Sequence, residues 1–166
     1  MIAFFHLGIA AGARLALAAL ALCALTTIGA QAQERFAGRW MIVSAVAAPW
    51  ASHPQDSVNE AEAKRFVGQA MTIAAKSLSG PEPLGCAHAT YAFRNTTADG
   101  LFEGALTADA AGKPADAAAA ARALGVSAKR VRAMTASCSE VEFVLAGPDT
   151  ILFGLNDRVF TAKRSK

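Results

Sequence analysis

The last third of the chain carries the pattern that most restricts the fold. Apolar segments of strand length alternate there with turn sequences. Gly147-Pro148-Asp149 is a turn sequence, and Asn156-Asp157 supplies two residues that tolerate positive φ in a tight hairpin. These features predict an antiparallel meander with strands over 130–137, 141–146, 150–155 and 158–164. Such an ending favours a mainly β fold.

The preceding part of the chain adds further strand signals. Apolar runs or alternating patterns predict strands over 38–46, 69–75, 87–94 and 101–106. Short strands at this regular spacing predict a small antiparallel β-barrel of about seven to eight strands.

Two short helices are also expected. Ser57-x-x-Glu60 forms a capping box, which predicts a helix that runs to about Val67. An alanine-rich stretch lies between Pro114 and Gly125, and this asymmetry predicts the second helix. Both helices belong to a single domain over residues 33–166.

Residues 1–32 have the pattern of a secretory signal peptide. They are almost wholly apolar, with Arg14 as their one charged residue, and they end in the small-x-small sequence Ala30-Gln31-Ala32. We expect cleavage between Ala32 and Gln33, a periplasmic or secreted location, and a mature form that does not span the membrane. The alternative is a membrane anchor, because the segment is long enough to cross a bilayer.

Cleavage leaves two cysteines, Cys86 and Cys138. In an exported chain, two cysteines predict one disulfide, worth roughly 4 kcal/mol through chain entropy. The alternative is a metal or haem site that uses Cys86 and His88.

The start of the first strand resembles a known family signature. Gly38-Arg39-Trp40 is similar to the Gly-x-Trp motif of lipocalins. In that family the tryptophan plugs one end of the barrel, and a basic side chain from the last strand packs across it. The resemblance implies a lipocalin-like barrel with Trp40 as a structural plug and Arg158 or Arg164 as its partner.

A second resemblance is to the small META-type domains of bacterial envelope proteins. It rests on Gly85-Cys86 and on the run Met134-Thr135-Ala136-Ser137-Cys138. The asparagine that normally follows the first cysteine is replaced by Ala87. Both resemblances imply a compact β-rich body, and neither brings a catalytic residue.

No catalytic, cofactor or metal site is predicted. The cleaved chain would keep His53 and His88, neither of which lies in a recognisable nucleophile motif. Zinc would need further ligands at suitable spacing. Glu140 and Glu142 share one face of a strand and are interpreted as surface charges.

The strongest polar feature is the basic cluster Lys129, Arg130 and Arg132. It would join Lys163, Arg164 and Lys166 in one basic patch if their strands were neighbours, and such a patch would suit an anionic surface. The alternative is an ordinary solvated edge. A net charge of +3 is too small to predict a nucleic-acid partner.

Pro49 and Trp50 are the candidates for a ligand or partner rim, because they leave the first strand at the end of the barrel. An aromatic side chain there can line a ligand site or anchor a partner. The alternative is that Trp50 packs under the following helix.

Together these patterns predict a non-enzymatic exported β-barrel protein that binds a small apolar ligand or an envelope protein, with inhibition of a hydrolase as one form of the latter. The alternative is a small periplasmic hydrolase whose site is not recognisable. An empty apolar interior would favour ligand binding, whereas a packed interior with an exposed aromatic rim would favour a protein partner.

Overall fold

The computed structural model describes residues 33–51, 57–102, 106 and 116–165 of the chain. The expected signal peptide over 1–32 lies outside the described residues, and so do His53 and Lys166. The described residues from Arg35 onwards belong to one compact unit.

Within the described residues, eight strands form one antiparallel sheet. They are β1 (Gly38–Ala47), β2 (Ala70–Ile73), β3 (Leu78–Ser79), β4 (Tyr91–Thr96), β5 (Val131–Ala136), β6 (Glu142–Gly147), β7 (Thr150–Leu155) and β8 (Arg158–Arg164). Their order is β3-β2-β1-β8-β7-β6-β5-β4, and the sheet curls into a half-barrel. The prediction of a mainly β, barrel-like fold is confirmed.

The C-terminal meander forms as its turns predict. Strands β5 to β8 pair in sequence order, and β8 then pairs with β1. Asn156 has a φ of 51° in the β7–β8 turn. The hairpin sets Phe153 opposite Phe160, and their rings stack with centroids 5.1 Å apart. The register of this hairpin therefore brings two large aromatic side chains to the same face.

Besides the helical residues 33–36, three helices lie among the described residues: α1 (Ser57–Phe66), α2 (Ala98–Leu101) and α3 (Ala117–Ala123). The carboxylate of Asp116 accepts a hydrogen bond from the Ala119 amide and caps α3. Such a cap satisfies one of the amide groups that the first helical turn leaves unpaired.

Two strand predictions are wrong in part. The segment 101–106 was expected as a strand, but Leu101 ends α2 and Phe102 lies in a turn. Phe102 is 5% exposed because it packs onto the sheet instead of extending it. The strand expected over 87–94 begins at Tyr91, since Ala89 bonds to Lys76 and not to β5.

The sheet is covered on both faces. We call the apolar residues inside the half-barrel the inner cluster; it includes Phe36, Trp40, Phe66, Phe143, Phe153 and Phe160. We call those on the other face the outer cluster; it includes Phe102, Ala121, Val126, Val144, Leu152 and Val159. Neighbouring residues of β6 and β7 alternate between the two clusters, as strand geometry requires. These strands are therefore buried on both sides.

The interior of the half-barrel is filled with side chains. Trp40, Phe143 and Phe160 have no exposed surface. Helix α1 contributes Phe66, whose ring centroid lies 5.2 Å from that of Phe160. Among the described residues, the inner cluster is thus a packed core.

The Cys86–Cys138 disulfide joins the region beside β3 to the turn after β5, with the two Cα atoms 6.2 Å apart. That separation lies in the range usual for disulfides. Leu78 and Cys86 exchange backbone hydrogen bonds, and the Ser137 amide donates to the carbonyl of Thr90. The segment 86–90 therefore bridges strands from the two ends of the sheet. The disulfide also takes up the sulfur that the alternative metal or haem site would have needed.

Candidate functional site

The Gly-x-Trp motif lies at one end of the half-barrel. Trp40 is fully buried, and its indole N–H donates to the carbonyl of Phe36 at 2.8 Å. The Arg164 guanidinium carbon lies 4.2 Å from the centroid of the Trp40 ring. Gly38 has a φ of +126°, and a Cβ there would lie 2.8 Å from Arg164 Nη1. The glycine is therefore needed both for its backbone conformation and for the approach of Arg164.

The two arginines that the resemblance offered as partners occupy different places. Arg164 also donates to the carbonyls of Ala37 and Arg35, at 2.6 and 2.7 Å. Arg158 is 5% exposed and donates to Glu60 of α1 at 2.7 Å. Arg164 thus covers the tryptophan, while Arg158 ties α1 to the sheet.

A cavity of about 570 Å³ lies on the opposite, outer face of the sheet. Its floor comes from β6, β7 and β8, through Val144, Leu152, Gly154 and Val159. Its apolar walls include Trp50, Leu101, Phe102, Leu124 and Val126. One edge is polar and carries Thr135, Glu140 and Glu142. The arrangement suits a small molecule with a largely apolar body.

Trp50 lies against Gly154, where the wall of this cavity meets its floor. A Cβ on Gly154 would meet the Trp50 ring at 3.2 Å, so the indole lies directly on a strand position without a side chain. The Trp50 N–H donates to the carbonyl of Asn156 at 3.3 Å, and its ring centroid is 6.0 Å from that of Phe102. Trp50 is therefore held in place as a wall. Pro49 is exposed and does not line the cavity.

An ion pair borders the polar edge. Arg94 of β4 donates from Nε and Nη2 to the two carboxylate oxygens of Glu142, both at 2.6 Å. It also donates to the Thr96 hydroxyl and to the carbonyl of Gly100, each at 3.3 Å. Arg94 thus neutralises Glu142 and links α2 to the sheet.

The expected extension of the basic patch is wrong. Strands β6 and β7 lie between β5 and β8, so the strands that carry Arg132 and Lys163 are not neighbours. Lys129 and Arg130 are exposed, whereas Arg132 is partly buried within β5. Lys163 instead donates to the Thr150 hydroxyl at 2.7 Å.

Within the part of the chain that the structure describes, titratable groups elsewhere form no second candidate site. His88 is exposed, and the described residues contain no group of three side chains that could hold a metal ion. No described helix is long and apolar enough to cross a membrane. Tyr91 donates to the carbonyl of Ser77 at 2.7 Å, and burial raises the pKa of its phenol.

No family model, curated protein or solved structure matches this chain. The lipocalin and META-type resemblances therefore rest on their sequence motifs, and the outer cavity has to be interpreted from its own geometry.

Of the residues that line the cavity, the sequence patterns indicated Trp50 as a ligand contact and did not indicate most of the others. The pairing of Arg94 with Glu142 spans 48 positions, and nothing local indicates it. Gly154 did carry a signal, because a glycine inside a strand pattern often marks a close approach by another group.

Proposed function

We propose that the protein is a non-enzymatic exported binding protein whose outer cavity takes a small, largely apolar ligand. The observation that carries this proposal is the cavity itself, about 570 Å³ in volume and lined mainly by aliphatic and aromatic side chains. Ligand sites for small molecules typically occupy roughly 300–1,000 Å³ and combine apolar walls with a few polar groups.

The position of the proposed site differs from that implied by the lipocalin resemblance. In the described residues the inner cluster is filled by side chains such as Trp40, Phe143 and Phe160. A ligand inside the half-barrel would have to displace this core, at a cost of several kcal/mol for each large side chain. The outer face offers space without that cost, and Trp50 lies in its wall.

Export is supported by one feature of the sequence and one of the structure. The first 32 residues have the pattern of a signal peptide. The Cys86–Cys138 disulfide is of the kind that persists in oxidising compartments. We therefore propose a periplasmic or secreted location.

A titration with the uncharged fluorophore N-phenyl-1-naphthylamine tests the proposed site. Val144 is 7% exposed at the cavity floor, so Val144→Phe should fill part of the cavity and weaken binding about tenfold or more. Val43 is 44% exposed on β1 and does not line the cavity, so Val43→Phe is the matched control and should bind as the wild type does.

Far-ultraviolet circular dichroism would establish that both variants remain folded. Equal affinity in Val144→Phe and wild type would contradict the proposed site, as would failure of the wild type to bind the fluorophore.

A further inference from the structure

We infer that the outer cavity selects ligands with a positively charged head group, such as an alkylammonium, over ligands with a carboxylate. This inference rests on the proposed function and specifies the chemical class of its ligand. It is carried by the charge of the polar edge.

The charged residues that line the cavity are acidic. Glu140 and Glu142 contribute carboxylates, and Thr135 lies beside them. Among the described lining residues there is no lysine, arginine or histidine. A ligand that lies along the apolar floor and reaches this edge therefore meets negative charge.

The two carboxylates are not equivalent. Glu142 is neutralised by Arg94 through two hydrogen bonds of 2.6 Å. Arg94 is itself not a lining residue. Glu140 is exposed and makes no ion pair with the described residues. Glu140 is thus the carboxylate available to a ligand cation.

The aromatic wall favours the same class of ligand. Phe143 of β6 pairs with Phe153 of β7. The next position along this register, on the outer face of the sheet, sets Glu142 opposite Gly154. Adjacent strands are about 4.8 Å apart, and Trp50 lies on Gly154. The register therefore sets Glu142, the carboxylate that Arg94 neutralises, next to the indole ring. A cation paired with Glu140 lies in the cavity that the indole also lines, and the face of an indole attracts positive charge.

A carboxylate ligand lacks these advantages. Its carboxylate would lose hydrating water at an edge where no lining residue supplies a positive charge. The glutamate carboxylates of that edge would also repel it. A fatty acid should consequently bind more weakly than an alcohol of the same chain length, and the alcohol more weakly than the ammonium.

The test compares decylammonium, decanol and decanoate as competitors of N-phenyl-1-naphthylamine, all below their critical micelle concentrations. We expect decylammonium to bind about tenfold more tightly than decanoate. This factor combines the attraction of the exposed Glu140 carboxylate for the ammonium with its repulsion of the decanoate carboxylate. Glu140→Gln should remove most of this preference and leave the affinity for decanol unchanged.

Glu82→Gln is the matched control. Glu82 is exposed and does not line the cavity, so its loss changes the net charge equally without changing the site. It should leave all three affinities unchanged.

The outcomes separate this inference from the proposed function. If the probes bind but decanoate equals or exceeds decylammonium, the charge selection is overturned while the site stands. The same holds if Glu140→Gln and Glu82→Gln have equal effects. If the fluorophore and all three alkyl compounds fail to bind, the proposed function is overturned as well.

Discussion

Replacing Trp40 by alanine should lower the free energy of unfolding by about 3–5 kcal/mol. The side chain has no exposed surface, so the substitution leaves a large void in the inner cluster. A domain of this size has about 5–15 kcal/mol of stability in total. The loss is therefore a substantial fraction of what holds the fold together.

Two further contacts raise the expected loss towards the upper end of this range. The guanidinium carbon of Arg164 lies 4.2 Å from the ring centroid, and such a contact is worth about 0.5–2 kcal/mol. The indole N–H donates to the backbone carbonyl of the buried residue Phe36, and a hydrogen bond of this kind contributes about 1 kcal/mol.

Trp50→Ala is the matched control for size and chemistry. Trp50 is only partly buried, in the wall of the outer cavity, so we expect a loss of no more than about 2 kcal/mol. Urea unfolding followed by far-ultraviolet circular dichroism measures both variants without depending on tryptophan fluorescence.

Equal losses in the two variants, or a larger loss for Trp50→Ala, would refute the view of Trp40 as the structural plug. A double-mutant cycle between Trp40 and Arg164 adds a second check. It should give a coupling energy above about 0.5 kcal/mol if the ring contact stabilises the fold.

Three other measurements address separate parts of the molecule. Tyr91 is the chain's one tyrosine, so its tyrosinate absorbance should titrate above the usual pKa of about 10. Because the pKa is raised in the folded state, the contribution of Tyr91 to the free energy of unfolding should be constant below about pH 10 and should fall as the pH rises above it. A midpoint at or below the value in urea would contradict this. Replacing Cys86 and Cys138 by serine should lower the free energy of unfolding by roughly 4 kcal/mol, because the disulfide closes a loop of 52 positions. An unchanged urea midpoint in the double variant would contradict this expectation. Mass spectrometry of the exported protein should find residues 33–166, and retention of residues 1–32 would exclude cleavage.

Several local features of the fold follow from the sequence. Asn156-Asp157 predicts the β7–β8 hairpin, since few residues accept positive φ, and Asn156 has a φ of 51°. Cys86 and Cys138 predict the disulfide if the chain is exported as expected, because an exported chain with two cysteines has few other uses for them. Alternation and turn spacing predict the mainly β class.

The strand expected over 101–106 is wrong because its local apolar pattern is compatible with both a strand and the end of a helix. Leu101 and Phe102 read as part of a strand, but apolar neighbours in so short a segment also suit a helix end packed on a sheet. The tertiary context decided between them, because Phe102 packs into the outer cluster and its apolar surface is removed from water there.

The sequence alone determined which residues alternate along each strand, where the chain turns, and that Gly38 and Trp40 belong to one motif. The tertiary structure decided what covers each face, which arginine reaches Trp40, and how Arg94 meets Glu142 beside the outer cavity. Alternation arises from the backbone and is therefore written locally in the sequence. Partners and cavities arise from strand order and register across distant parts of the chain, which no short segment encodes.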